Sequence, residues 1–126
     1  MNDVMMRGIT ILQIQCHEAA RESGWWDEYD EMPEKYRKYV LAAKRDLMHT
    51  ELAEATEGSR KNQMDDHLPH RKMEEVELAD TIIRIMDYAG KLNYDLAGAI
   101  AEKMQYNKSR EDHKPENRAK AGGKSL

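Results

Sequence analysis

The stretch HTELAEATEG, residues 49–58, combines helix-forming residues with two carboxylates in unexpected positions. Its composition favours an α-helix, and its final glycine favours a helix C-terminus. Because a helix turns about 100° per residue, Glu51 and Glu54 fall within about 40° of an apolar face centred on Leu47. The pattern therefore predicts a helix that points two carboxylates towards the protein interior.

Apolar residues recur at helical spacing along the chain, and no segment alternates like a β-strand. The spacing predicts four helices, at about Val4 to Glu22, Pro33 to Glu57, Lys72 to Ala89 and Asp95 to Lys108. We therefore predict an all-α fold, a four-to-five-helix bundle that forms one domain over residues 1–110. The polar segment 111–126 is expected to be a mobile tail.

The helix ends are predicted from residues that favour them. Three glycines are expected to stop helices, at Gly24, Gly58 and Gly90. Asn93 or Asp95 can cap the fourth helix. Residues 59–71 are polar, contain Pro69 and are predicted to be a loop.

The composition of the 126 residues limits the possible functions. Charged residues make up 35% and hydrophobic residues 40%, so the core is thin and support from a second subunit is expected. The 24 acidic residues exceed the 20 basic ones, which argues against a nucleic-acid surface. No signal peptide or membrane span is predicted. The single cysteine, Cys16, excludes an intrachain disulfide and fits a reducing cytoplasm.

Two further helices carry charges close to their apolar faces. In EVELADTIIRIMD, residues 75–87, Glu77 and Asp80 share a stripe with Arg84 and Asp87, although a solvated acidic stripe would have the same pattern. On the fourth helix, Lys103 and Asn107 fall on the apolar face, where a lysine can extend its ammonium group to solvent.

Glu51 and Glu54 need positive partners, because an isolated carboxylate in an apolar interior costs several kcal/mol. Lys44 lies on the same face and could pair with one of them. A divalent cation such as Mg²⁺ accepts oxygen ligands and could satisfy both. A metal site and a helix–helix network of salt bridges are therefore both consistent with this helix.

The chain resembles the MazG-like all-α nucleotide pyrophosphohydrolases over most of its length. The resemblance is carried by GWW at residues 24–26, Glu-x-x-Glu in ELAE, Glu-x-x-Asp in ELAD and Lys-x-x-x-Asn from Lys103 to Asn107. Tails in that family often end in an aromatic residue, whereas this longer tail ends in Leu126.

The resemblance implies hydrolysis of a nucleoside triphosphate, often a deoxynucleotide, to the monophosphate and pyrophosphate. It implies Mg²⁺ as cofactor, with Mn²⁺ as a substitute, and assembly into a homodimer or homotetramer. The implied metal ligands are Glu51, Glu54, Glu77 and Asp80. The implied phosphate contacts are Lys103, Asn107 and Arg110.

Chemical roles can be assigned within this interpretation. Glu51 or Glu54 would take a proton from the attacking water, and Lys103 would offset charge on the leaving pyrophosphate. Trp25 and Trp26 offer faces for stacking on the base, and the Gln15 amide could bind the edge of the base. Alternatively, one tryptophan belongs to the core and Gln15 satisfies a backbone group.

Two other functions are consistent with the same residues. The chain could be a non-enzymatic helical interaction protein whose charges form salt bridges between subunits. It could also hydrolyse a different nucleotide phosphoanhydride. A requirement for Mg²⁺ would separate the enzymatic functions from the non-enzymatic one.

Overall fold

The computed structural model describes the whole chain, Met1–Leu126, and is 74% helical with no strands. The prediction of an all-α fold is therefore confirmed. The α-helices are α1 Asp3–Glu22, α2 Asp27–Glu31, α3 Glu34–Lys61, α4 Met73–Lys91, α5 Leu96–Ser109 and α6 Pro115–Arg118. A 3-10 turn, Glu111–His113, precedes α6.

The chain divides into two compact units. The first comprises Met1–Thr10 with Asp95–Leu126, and the second comprises Ile11–Tyr94. The division at residue 110 remains a prediction, since compactness alone does not show that a segment folds independently.

The main packing contact of the second unit lies between α3 and α4. Gly58 was expected to end α3, but the helix continues to Lys61 and ends where Asn62 adopts a left-handed conformation with φ 49°. A Cβ at Gly58 would lie 2.8 Å from the Cβ of Met73. The glycine therefore allows the start of α4 to approach α3 closely, and the predicted stop is wrong.

Gly90 was also expected to end a helix and does not. Helix α4 continues to Lys91, and a Cβ at Gly90 would lie 2.6 Å from the Cβ of His17 on α1. The glycine thus permits a close helix–helix approach. Of the two predicted caps of α5, Asn93 and Asp95, the structure uses Asp95, whose carboxylate accepts a hydrogen bond from the backbone N–H of Gly98 at 2.9 Å.

The segment between α3 and α4 is closed by an isolated antiparallel bridge between Met64 and Lys72. The buried side chain of Asp65 accepts hydrogen bonds from the backbone N–H groups of His67 and Leu68, at 2.9 and 2.7 Å. These local bonds shape the loop that leads into α4.

Two segments contain short elements that were not predicted. The acidic stretch after Trp26 forms α2, and the tail expected to be mobile forms the 3-10 turn and α6. Within the tail, Asp112 accepts hydrogen bonds from Arg110 and pairs with Lys124 at 2.8 Å.

The apolar core is thin, as expected from the composition. Its buried hydrophobic residues are Trp26, Ala55, Met86, Ala89 and Ala97. Helix α1 has no buried residue, and large side chains such as Ile11, Ile14, Ile82 and Ile83 are about half exposed. None of the helices combines the length and the apolar character needed to cross a membrane.

Candidate functional site

Three carboxylates from α3 and α4 meet in the second unit. Ligand oxygens of Glu51, Glu77 and Asp80 all lie within 4.8 Å of one another. Glu77 and Asp80 are three residues apart and share one face of α4, opposite Glu51 on α3. Glu51 and Glu77 are only 8% and 9% exposed, so the hypothesis of a solvated acidic stripe on α4 is wrong.

The crowding of these carboxylates changes their acidity. Burial, followed by a hydrogen bond with Glu51 and the charges of Glu54, Glu51 and Asp80, raises the pKa of Glu77 to about 7. Burial and the charge of Glu51 also raise the pKa of Asp80. Like charges in a partly dry site therefore favour a shared proton or a bound cation.

Glu54 lies at the edge of this carboxylate cluster and not inside it. Its side chain is exposed, and it is not among the three residues whose oxygens converge. It is nevertheless close, because its charge acts on Glu77 and its side chain interacts with Glu51. The expectation that both glutamates of α3 face the interior is correct for Glu51 and wrong for Glu54.

Arg84 supplies the positive partner of the buried glutamate. Its Nε donates to Oε1 of Glu51 at 2.6 Å, joining α4 to α3. Burial of Glu51 opposes ionisation, yet the hydrogen bonds from Arg84 and Glu77 hold the pKa of Glu51 below its ordinary value. The salt-bridge alternative therefore describes part of this site.

Lys44 does not pair with either glutamate, contrary to the alternative considered from the sequence. Its Nζ donates to the backbone carbonyl of Trp25 at 3.3 Å and lies 4.1 Å from the ring centroid of Trp26. Burial lowers the pKa of the Lys44 ammonium group. The lysine is therefore attached to the tryptophan segment, where a cation–π contact stabilises it.

A cavity of about 700 Å³ opens beside the carboxylate cluster. Its polar lining residues are Gln15, Ser23, Lys44, Glu51, Asp80, Arg84 and Asp87. Its other lining residues are Leu12, Cys16, Ala19, Ala20, Trp25, Leu47 and Ile83. The volume and the mixed lining are typical of small-molecule sites.

The two tryptophans have different environments. Trp25 is 71% exposed and lines the cavity, whereas Trp26 is 1% exposed. The indole Nε1 of Trp26 donates to Oδ1 of Asp87 at 2.8 Å, and Nδ1 of His17 lies 2.9 Å from the same oxygen. Trp26 is thus the core tryptophan of the alternative interpretation, and its buried ring offers no free face for stacking on a base.

Gln15 and Cys16 both line the cavity. Gln15 is exposed. The glutamine of α1 that satisfies a backbone group is Gln13, whose side chain donates to the Tyr94 carbonyl at 2.8 Å. Cys16 is partly exposed, and burial with the charge of Asp87 raises the pKa of its thiol. Gln15 therefore remains a candidate contact for a ligand.

The three predicted phosphate contacts belong to the first unit. Lys103 is exposed with its Nζ 4.7 Å from the Tyr106 ring centroid, and Arg110 makes a bidentate pair with Asp112. The Oδ1 atom of Asn107 is buried without a hydrogen-bond partner. Their role in phosphate binding remains a prediction.

Sequence reasoning missed the residues that organise the wall of this cavity. His17 was not singled out, and Asp87 was grouped only with the acidic stripe. Buried polar groups require partners, but no local pattern in the sequence marked this aspartate and this histidine as a pair. The contact between His17 and Asp87 joins residues 70 positions apart, so local spacing could not predict it.

The donor set of the carboxylate cluster is compatible with a hard divalent cation. Its three converging carboxylate oxygens are the type of ligand that Mg²⁺ and Mn²⁺ accept. Searches of family profiles, curated proteins and solved structures return no match to this chain. A functional proposal must therefore be carried by the residues themselves.

Proposed function

We propose that this chain is a Mg²⁺-dependent nucleoside triphosphate pyrophosphohydrolase of the MazG-like type. It would convert a nucleoside or deoxynucleoside triphosphate to the monophosphate and pyrophosphate, with Mn²⁺ as a substitute cation. The observation that carries the proposal is the cluster of Glu51, Glu77 and Asp80, of which Glu51 and Asp80 line a cavity of small-molecule size. The resemblance of the ELAE and ELAD motifs supports the same reaction.

The carboxylates would hold the metal, with Glu51, Glu77 and Asp80 as the inner donors and Glu54 at the edge. When bound, Mg²⁺ would screen phosphate charge and acidify a water molecule. Glu54 is the better placed of the two proposed bases. It is exposed at the edge of the cluster, whereas Glu51 is tied to Arg84. Glu54 would accept the proton of the attacking water.

The cavity provides different environments for the two ends of a nucleotide. Trp25 offers an exposed ring for stacking, and Gln15 an amide for the base edge. Lys44 and Arg84 are the two cations in the lining, where phosphate charge would be placed. The resemblance adds Lys103, Asn107 and Arg110 as phosphate contacts.

A panel of standard and modified nucleotides tests the reaction. Pyrophosphate and orthophosphate are measured separately, with Mg²⁺, with Mn²⁺ and with a chelator. We expect metal-dependent pyrophosphate release that Asp80→Asn abolishes. The control is Glu74→Gln, which removes an exposed carboxylate from the first turn of the same helix. Orthophosphate as the sole product would contradict the reaction proposed.

A non-enzymatic interaction protein is the second candidate. The ion pair between Arg84 and Glu51 favours it, because a salt bridge satisfies a buried carboxylate without metal. Wild-type protein that releases no product from any nucleotide and is not stabilised by Mg²⁺ would favour this candidate. A product other than pyrophosphate would favour hydrolysis of another phosphoanhydride.

Assembly and location complete the proposal. The lack of a buried residue on α1, together with the half-exposed Ile11 and Ile14, supports a homodimer or homotetramer. The single Cys16 supports a reducing, cytoplasmic location. The net charge of -4 argues against a nucleic acid as ligand.

A further inference from the structure

We infer that Arg84 is an exchangeable partner that is shared between Glu51 and the phosphate groups of the substrate. Arg84 would compete with the divalent cation for Glu51, and after leaving Glu51 it would bind the nucleotide. The inference rests on the proposed function and adds a residue that neither the motifs nor the resemblance assigned.

Arg84 and the divalent cation would compete for the carboxylate of Glu51. Arg84 Nε donates to Oε1 of Glu51 at 2.6 Å, and Glu51 is also one of the three residues whose oxygens converge. A carboxylate that balances a guanidinium has less charge to offer a divalent cation. Coordination that includes Oε1 of Glu51 therefore requires Arg84 to weaken or leave its bond.

Most N–H groups of the Arg84 guanidinium make no hydrogen bond. A guanidinium carries five N–H donors, and the Nε–H bond to Glu51 is the only hydrogen bond that Arg84 donates. Its side chain is 41% exposed and lines the cavity. The remaining donors are therefore available in the space where phosphate groups would lie, and a guanidinium fits phosphate bidentately.

The two cavity cations differ in their partners, because only Arg84 is held by a carboxylate that a metal would also bind. Lys44 contacts the Trp25 carbonyl and the Trp26 ring, and neither of these groups is a proposed ligand of the metal or the nucleotide. Arg84 is held by Glu51 alone. Its release costs one ion pair, which the phosphate groups of an arriving nucleotide replace.

Direct observation of the Arg84 Nε–H tests the exchange. In a ¹⁵N NMR spectrum, the signal is assigned by its loss in Arg84→Lys. We expect strong protection from solvent exchange without added ligand, loss of protection with saturating Mg²⁺, and renewed protection when an α,β-imido deoxynucleoside triphosphate is added. Protection that is unchanged by saturating Mg²⁺ would overturn the inference.

Affinities provide a second test by calorimetry. Arg84→Gln should bind Mg²⁺ alone about fivefold more tightly, because a positive competitor is gone. It should bind the imido nucleotide with Mg²⁺ about tenfold more weakly, the loss expected for a hydrogen bond to a charged group. Arg84→Lys should fall between Arg84→Gln and the wild type in both measurements.

The control is Arg45→Gln. Arg45 also joins α3 to α4, by donating to the Tyr88 hydroxyl at 2.6 Å, but it lies outside the cavity lining. If Arg45→Gln and Arg84→Gln changed both affinities equally, loss of any positive charge would explain the effect, and the inference would be overturned. Wild-type protein that binds no Mg²⁺ would instead contradict the proposed function itself, and the exchange with it.

Discussion

The indole Nε1 of Trp26 donates to Oδ1 of Asp87 at 2.8 Å, which ties the segment before α2 to α4. Trp26 is almost fully buried, so its N–H has no access to solvent if this acceptor is removed. Asp87 itself lines the cavity. One carboxylate therefore fixes the largest core side chain and also forms part of the candidate site.

Removing this acceptor is expected to destabilise the fold. Asp87→Ala leaves the N–H of Trp26 unpaired and removes the contact to His17, which should cost about 1–3 kcal/mol of unfolding free energy. Urea denaturation checks the value. The control is Asp46→Ala, an exposed aspartate on α3. Equal stability of the two variants would show that the Trp26–Asp87 bond contributes little.

Gly58 and Gly8 should respond oppositely to replacement by alanine. At Gly58 the new Cβ would lie 2.8 Å from Met73, so Gly58→Ala should separate α3 from α4 and lower the melting temperature. At Gly8 no atom lies within 4 Å, so Gly8→Ala should stabilise α1 by up to about 1 kcal/mol. A rise in melting temperature in both variants would contradict the close packing inferred at Gly58.

The pH dependence of stability should expose the crowded carboxylates. The pKa of Glu77 is raised from 4.5 to about 7, so the folded protein favours its protonated form. In chelator, wild-type protein should therefore lose stability as the pH rises from about 4.5 to about 7. At pH 8, the unfolding free energy of Glu77→Gln should exceed that of wild type by about 1–2 kcal/mol, a value reduced for screening by solvent.

The same variant separates the two interpretations of the carboxylate cluster. At pH 4, Glu77→Gln and wild type should have similar stability, because Glu77 is protonated in both the folded and unfolded states. Addition of Mg²⁺ at pH 8 should raise the melting temperature of wild type more than that of the variant. A Glu77→Gln protein that melts well below wild type in chelator would instead show that Glu77 holds the helices together.

Glu54 should matter more for turnover than for metal binding. Because Glu54 is exposed at the edge of the cluster, Glu54→Gln should reduce pyrophosphate release by about 100-fold or more, as expected for a lost general base. Its Kd for Mg²⁺ should change less than that of Asp80→Asn. Calorimetry on both variants measures the Kd for Mg²⁺, and kinetics measures pyrophosphate release. A larger loss of Mg²⁺ affinity in Glu54→Gln than in Asp80→Asn would show that Glu54 is a principal ligand.

Self-association should depend on the exposed face of α1. Sedimentation of wild-type protein at micromolar concentration should give a species larger than the 14.7 kDa chain. Ile14→Asp should shift it towards the monomer, since Ile14 is 50% exposed. A wild-type protein that sediments as a monomer would contradict the proposed assembly.

Helix geometry predicted part of the site correctly. The all-α fold, the inward direction of Glu51 and the Asp95 cap follow from spacing and local hydrogen bonding. The exposure of Glu54 did not follow, because helix rotation assigns a residue to a face but does not show how far the neighbouring helix covers that face. Periodicity alone does not reveal where a helix face meets a cavity.

Partners distant in sequence explain the remaining errors. Gly58 and Gly90 have the composition of helix stops, but each allows a remote side chain, Met73 or His17, to approach the helix. Lys44 was the cation on the same face of the helix as Glu51, yet the partner is Arg84 on α4. Such pairings depend on how helices dock, which a single sequence pattern does not contain.

The contrast between Trp25 and Trp26 gives the chain two tryptophan fluorophores with separate uses. The exposed Trp25 indole in the cavity wall should emit at long wavelength and be quenched by acrylamide, and a bound base should protect it. The buried Trp26 indole should emit at shorter wavelength and shift only when the fold opens. A Trp26→Phe protein thus becomes a ligand sensor, and a Trp25→Phe protein becomes a probe of unfolding.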